Sequence, residues 1–264
     1  MDFHLQNKVA VVTGASKGIG LAIVAALAEE GVRVVAGSRE QSAALSELAN
    51  RFSVLPVAVD LSTTDGPTKL IERAVTEFGG VDILINNVGG AEMHVGGFLT
   101  TSDADWYRTF DLNVMSTVRA SRAALPGMVE RGSGVIVNIS SVNAHLPGTS
   151  ITDYSATKAA MTNLSKALAE EFGPQGIRVN TVSPGPVRTP LWESDGGLAD
   201  TLGQAFGVDR GVLMSQVPEM NNMTIKRMIE PDEIAALVVF LVSDRAAMVI
   251  GADYIIDGGV LKAV

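Results

Sequence analysis

The sequence predicts an α/β protein, a doubly wound parallel sheet of six to seven strands with helices on both faces. Short β-branched runs alternate with longer segments of helical periodicity, the pattern of successive βαβ units. The runs are apolar at consecutive positions instead of every second one, so each strand is expected to be covered on both faces. No linker, low-complexity tract or internal repeat interrupts the alternation, and a single domain is expected over 1–264.

The first strand, 9–13, leads through a glycine-rich stretch into a helix over 18–30, which Gly31 closes. Strand 33–36 and helix 41–51 form the next unit, followed by strand 54–59 and helix 65–78, with Gly79 as its stop. Strand 81–85 precedes a long helix over 102–131, and strand 135–139 precedes a helix over 153–172, with Gly173 expected as its left-handed stop. The sixth strand is 177–182. The stretch 190–228 then breaks the rhythm, with five glycines among Leu191, Trp192, Phe206, Leu213 and Met214, and reads as a flexible, partly apolar cover over a site. A helix over 231–242 opens on Pro231, a first-turn proline, and 254–256 is the last strand.

Composition removes several functions. With 47% hydrophobic and 19% charged residues the chain has the balance of an ordinary folded domain. Its 20 Lys plus Arg against 29 Asp plus Glu, with no basic block, argue against a nucleic-acid partner. Zero cysteines exclude a disulfide framework, a thiolate nucleophile and a Cys-based zinc site, and no metal is expected. The start carries no basic segment followed by an apolar one, and the longest apolar stretches, 21–28 and 235–242, are too short for a bilayer. The expectation is a cytoplasmic protein without a membrane partner.

Chemistry concentrates where the strands end. Thr13-Gly14-Ala15-Ser16-Lys17-Gly18-Ile19-Gly20 lets the backbone turn tightly toward a pyrophosphate at the positive end of the following helix. The second strand ends at Gly37-Ser38-Arg39, without a carboxylate to meet a ribose 2′-hydroxyl. Arg39 and Lys17 instead form a two-sided clamp suited to a 2′-phosphate, so NADP(H) is expected over NAD(H). Tyr154 and Lys158 stand four apart on one helix face, where an ammonium would favour the phenolate and lower the phenol's pKa from about 10. Ser140 and Ser141 close the fifth strand on the same sheet edge. Without a partner His and acid in a nucleophile elbow, a hydroxyl there serves better as a hydrogen-bond donor to a carbonyl than as a nucleophile.

Together these motifs, in this order, resemble the classical short-chain dehydrogenase/reductase family over essentially the whole chain. The glycine-rich segment is similar to the family's cofactor loop, placing Gly14, Ser16, Lys17, Gly18, Ile19 and Gly20, with Ser38 and Arg39, around the nucleotide. Asp60-Leu61 resembles its adenine contact, and Asn86-Asn87-Val88-Gly89 its Asn-Asn-Ala-Gly turn, with Val88 adding bulk near the adenosine ribose and Asn87 and Gly89 as cofactor contacts. Pro184-Gly185-Pro186-Val187-Arg188-Thr189 resembles the segment in which Val187 and Thr189 would touch the nicotinamide carboxamide and phosphates. Asp257-Gly258-Gly259 resembles a structural closing motif.

The resemblance implies a Rossmann-like fold and a catalytic tetrad of Asn113, Ser141, Tyr154 and Lys158, with Ser140 as the fallback serine. Tyr154 would exchange the proton, Lys158 would hold the nicotinamide ribose and depress the tyrosine pKa, Ser141 would bind the carbonyl oxygen and Asn113 would position a relay water. It also implies a homotetramer. The expected activity is NADP(H)-dependent interconversion of a ketone and a secondary alcohol on a moderately sized, mainly apolar small molecule. The alternatives are NAD(H)-dependent oxidation of a polyol, steroid-like or other cyclic alcohol, and a non-catalytic nucleotide-binding scaffold. Around this centre His145 reads as a solvated loop residue, Trp106 and Tyr107 as packing residues, and Glu92, Met93 and His94 as candidates for the pocket mouth. Glu193, Asp195, Asp200 and Asp209 would disfavour an anionic substrate if they faced inward.

Overall fold

The computed structural model describes residues 2–262; Met1 and residues 263 and 264 of the expected domain lie outside the described residues. Seven parallel strands form one sheet: β1 Val9–Thr13, β2 Arg33–Ser38, β3 Val54–Ala58, β4 Ile83–Asn86, β5 Gly134–Ile139, β6 Ile177–Pro184 and β7 Asp253–Ile256. Their spatial order is β3-β2-β1-β4-β5-β6-β7. Strand β2 runs on to Ser38 and β6 to Pro184, further toward the ligand edge than 33–36 and 177–182 suggest.

Helices α1 Gly18–Glu29, α2 Ala43–Arg51 and α10 Pro231–Val242 cover one face, where Ile23, Leu27, Leu45, Ile234 and Val238 pack on Ala10, Val12, Val34 and Ile85. Helices α3 Gly66–Phe78, α5 Ser116–Arg131 and α6 Thr152–Phe172 cover the other, packing Leu70, Ala120, Met128 and Ala169 on Val11, Val35, Leu84 and Ile136. Consecutive strand residues therefore feed opposite cores, the physical reason the runs are apolar throughout. Winding reverses between β1 and β4, and the crevice at the carboxyl ends of these two strands is where such sheets bind ligands.

Two expectations need correction. The helix expected over 102–131 is α4 Asp103–Phe110, a π-helical turn Asp111–Met115, and then α5. All of it is wound in the same hand, so the three pieces form one continuous helical run. Gly173 is right-handed, at φ −55°; a short 3₁₀ turn follows it, and Gly176, at φ 80°, takes the left-handed position. The stretch 190–228 contains three helices, α7 Pro190–Glu193, α8 Leu198–Phe206 and α9 Arg210–Met220, with Leu213 and Val217 in the core.

No helix among the described residues is long and apolar enough to cross a membrane. None of the described residues form a His, Cys, Asp or Glu cluster able to hold a metal ion.

Candidate active site

The two sides of the crevice are clasped by one hydroxyl. Thr13, the last residue of β1, accepts the backbone N–H groups of Asn87 at 2.9 Å and Val88 at 3.0 Å on its Oγ1, while that hydroxyl donates to the Ile85 carbonyl at 3.2 Å. Asn87 Nδ2 returns the contact, donating to the Thr13 and Gly14 carbonyls at 2.9 and 3.0 Å. Asn86 points instead into the core, donating to Asn138 Oδ1 at 2.8 Å, and Asn138 in turn donates to Ser165 on α6 at 2.7 Å. The consecutive asparagines thus divide the work, one holding the glycine-rich loop and one anchoring the strand.

That loop has the form of a nucleotide cradle. Gly14 is left-handed at φ 68°, and a Cβ on Gly20 would stand 2.2 Å from the Gly14 carbonyl oxygen, so the backbone closes on itself only without side chains. Lys17, at the N-cap of α1, makes no side-chain cap bond, leaving first-turn N–H groups of that helix for an anion. Thr189 comes against the loop, its methyl 3.2 Å from where a Gly18 Cβ would be, and Val187 is buried through a bridge to Ile229. Ser16 and Ile19 lie on the same loop.

At the outer end of the crevice Lys17 and Arg39 are exposed, and Ser38 is buried with its hydroxyl donating to the Glu40 carbonyl at 2.9 Å. The Asp60 carboxyl is held below its ordinary range, first by the Ser62 hydroxyl, then by the Ser62 N–H, with Arg39 close enough to add to the effect. Leu61 beside it is buried. The residues present fit a dinucleotide.

The inner end gathers the expected tetrad. Lys158 Nζ lies 5.6 Å from the centre of the Tyr154 ring and donates to the Ile139 carbonyl at 2.8 Å. A Cβ on Gly89 would stand 3.4 Å from that nitrogen and 3.0 Å from Asn113 Oδ1, which puts the asparagine turn, Asn113 and Lys158 in one place. Asn113, fully buried on the π-helical turn, has its amide engaged: Oδ1 accepts the Gly90 N–H at 2.9 Å, and Nδ2 donates to the Gly90 carbonyl and to Thr157 Oγ1. The serine choice also resolves. Ser140 donates to the Lys158 carbonyl at 3.1 Å and meets Thr162 at 2.9 Å, facing α6, whereas Ser141 bonds Asn143 and lies close enough to the Tyr154 hydroxyl to affect its titration.

The phenol corrects an expectation. Burial raises the Tyr154 pKa above its ordinary value, the Ser141 hydrogen bond only partly opposing it, instead of the neighbouring lysine lowering it. The same burial brings Lys158 down to about 8. Lys158 stands over the Tyr154 ring and spends its hydrogen bond on the Ile139 carbonyl, so the cost of burying a phenolate is the dominant influence on the phenol.

The peripheral candidates divide. His145 is paired, Nε2 to Asp253 Oδ2 at 2.7 Å, and is not a free solvated ring. Trp106 packs between Phe98 and Phe110 as expected, but Tyr107 is 72% exposed and packs on little. Glu92 takes a hydrogen bond from Arg108 at 2.7 Å, and Met93 is half-buried. The His94 side chain is 8% exposed and lies 3.5 Å from Asp153, a buried carboxylate that motif spacing did not single out. The acidic residues of 190–228 are committed to local contacts: Asp195 and Asp200 to Arg210, Glu193 to Arg188, and Asp209 to the N-terminus of α9.

A buried lysine held near pKa 8 is a stability cost with a definite sign. Below pH 8 both folded and unfolded chains carry the proton, and the folded state bears the full cost of burying it. Between 8 and the unfolded value of 10.5 the unfolded chain binds more protons, so stability rises with pH. Replacing Lys158 with Met should stabilise the protein at pH 7 by about 2 kcal/mol, after allowing for the lost bond to Ile139. Urea unfolding across pH 7 to 10.5 should show this advantage shrinking as pH rises; an advantage independent of pH contradicts the assignment.

A family model described as short chain dehydrogenase matches residues 8–196. The D-threitol dehydrogenase of Mycolicibacterium smegmatis is 36% identical, covering 98% of this chain and 94% of that protein. A 3-alpha-(or 20-beta)-hydroxysteroid dehydrogenase of Mycobacterium tuberculosis is 34% identical over 98% and 91%. The structure of L-sorbose reductase from Gluconobacter frateurii, complexed with NADPH and L-sorbose, superposes with a TM-score of 0.91 at 38% identity, covering all of both chains. The chain therefore belongs to the short chain dehydrogenase family, as a nicotinamide-dependent oxidoreductase of alcohols and ketones.

Proposed function

We propose that the protein interconverts a ketone and a secondary alcohol with NADP(H) as its preferred cofactor, using Tyr154, Ser141, Lys158 and Asn113. The observation that carries this reading is the convergence of Tyr154, Lys158, Gly89 and Asn113 at the inner end of a glycine-lined crevice. The bound cofactor supplies or accepts the hydride. In the reducing direction Tyr154 gives its proton to the developing alkoxide, and its raised pKa keeps it protonated at neutral pH. Ser141 donates to the carbonyl oxygen, and the Lys158 ammonium holds the nicotinamide ribose. Asn113, fixed between Gly90 and Thr157, sets the height of the asparagine turn against Lys158 and holds a relay water there.

Around the nucleotide, Gly14, Ser16, Gly18, Ile19 and Gly20 receive the pyrophosphate, Asp60 and Leu61 meet the adenine, and Asn87 and Gly89 border its ribose. Val187 and Thr189 contact the carboxamide and phosphates. Lys17 and Arg39, both exposed, clamp the 2′-phosphate beside Ser38. The NADPH in the related sorbose reductase structure supports the same preference. By family likeness the assembly is a homotetramer, and 190–228 serves as the flexible cover of the substrate side.

Substrate class divides two readings. Leu191, Trp192, Phe206 and Met214 remain available for a mainly apolar substrate of moderate size, although Leu213 is taken by the core. A polyhydroxylated ketone is the second reading, favoured by likeness to sorbose reductase and threitol dehydrogenase.

Tyr154→Phe should lower kcat by about two to four orders of magnitude while NADPH binding, followed by fluorescence, stays at the parental level; near-normal turnover refutes the mechanism. Arg39→Ala should weaken NADPH by about tenfold relative to NADH, and an unchanged ratio of the two dissociation constants removes the phosphate clamp. NADPH consumption over a ketone panel should be faster with cyclic and aliphatic ketones than with ketoses such as sorbose. The opposite ranking transfers the assignment to the polyhydroxylated class.

A further inference from the structure

Beside the phenol, α6, the α4 to α5 segment and the loop after β4 meet in two stacked tiers. The lower tier is Asn113, Thr157 and Gly90, joined by the amide bonds described above. The upper tier stands four residues earlier on each helix and four later on the loop: Thr109, Asp153 and His94. Thr109 Oγ1 donates to Asp153 Oδ2 at 2.6 Å, and His94 Nε2 lies 3.5 Å from the same oxygen. The His94 backbone N–H donates to the Ser150 carbonyl at 2.8 Å, drawing the loop onto the approach to α6. At the rim Arg108 of α4 adds its bond to Glu92.

The upper tier is energetically unfavourable as packing alone. Asp153 is fully buried, and neither its Oδ1 nor His94 Nε2 has a hydrogen-bond partner among the described residues. A buried carboxylate short of partners is less stable than an apolar side chain of the same volume, so a purely structural role would favour Leu or Met there. The other side-chain bonds of the first turn of α6 are local: Ile151, its N-cap, makes no side-chain cap bond, Thr152 donates to the Thr149 carbonyl, and Ser155 bridges back to Ile151 and Gly148. Asp153 is the acidic residue of that first turn, where a negative charge complements the helix dipole, and Tyr154 follows it directly.

We propose that Asp153, bonded by Thr109 and faced by His94 at 3.5 Å, is a positioning residue that fixes the first turn of α6 and so aims the Tyr154 hydroxyl at the substrate carbonyl. The inference rests on the reading of Tyr154 as the proton donor. A hydroxyl displaced by a fraction of an ångström still lets nucleotide and substrate bind but misses the transition state, so the effect belongs in kcat.

The test is steady-state kinetics on Thr109→Val, Thr109→Ser and His94→Leu, using a ketone turned over by the parent protein, with NADPH affinity and thermal midpoint measured alongside. Thr109→Val, which keeps shape and loses the hydroxyl, should lower kcat by about ten- to a hundredfold with substrate KM and NADPH affinity within about twofold. Thr109→Ser should restore the parental kcat, and His94→Leu should fall with Thr109→Val. Should Thr109→Val not fold, His94→Leu decides alone. Parental kcat in a folded His94→Leu or Thr109→Val overturns the proposal, as does a parallel loss of kcat and nucleotide affinity in every variant. A parent inactive on all ketones removes the Tyr154 reading and this inference with it; an active parent whose Tyr154→Phe form is dead while Thr109→Val is unimpaired removes only this one.

Discussion

The grip of the Thr13 hydroxyl on the amides of Asn87 and Val88 is the contact on which the rest of the crevice depends. Parallel strands β1 and β4 are neighbours, yet beyond their carboxyl ends the chain leaves them in opposite directions, and nothing in the ladder holds the two departing loops together. Thr13 does so with one buried oxygen, and the Asn87 amide closes the ring onto the Thr13 and Gly14 carbonyls. Glycine at 14 and 20 allows the closeness, since any Cβ would collide with backbone or with Asn87. The crevice is thus built before any ligand arrives, which removes ordering cost from binding.

The same preorganisation governs the reacting end, where polar groups are buried at a cost to stability. Lys158 is buried with its hydrogen bond on one carbonyl, Tyr154 is kept protonated by burial, and one Asp153 oxygen has no partner among the described residues. Each is poor packing and, on the proposed reading, good chemistry: a donor phenol that holds its proton, a desolvated cation that would act strongly on a bound ribose, and a carboxylate that would stiffen a helix start. Stability lost here is balanced by two apolar cores on the faces of the sheet, in which nearly all residues of β1, β2, β4, β5 and β6 are buried.

Legibility followed the range of the forces involved. Strand and helix positions were readable from periodicity within a residue or two, because each is set by local pattern and by glycines such as Gly31 and Gly79. Tyr154 and Lys158 were readable because four-residue spacing on a helix is itself geometry. The π-helical turn at 111–115 was not, since it lies inside one continuous helical run and its Asn113 bonds to Gly90 and Thr157, residues far off in the chain. Nor was the internal structure of 190–228, whose short helices lean on contacts such as Arg210 with Asp195 and Asp200.

The amino-acid order alone determined the doubly wound sheet, the glycine cradle at its edge and the identity of the residues with proton-handling chemistry, all consequences of short-range pattern. The tertiary structure alone decided which serine faces the phenol, that the phenol's pKa rises instead of falling, and that His94 and Asp153 meet in the interior. Those outcomes depend on solvation and on partners far apart in the chain. Burial is a property of the assembled layers, and no stretch of sequence carries it by itself.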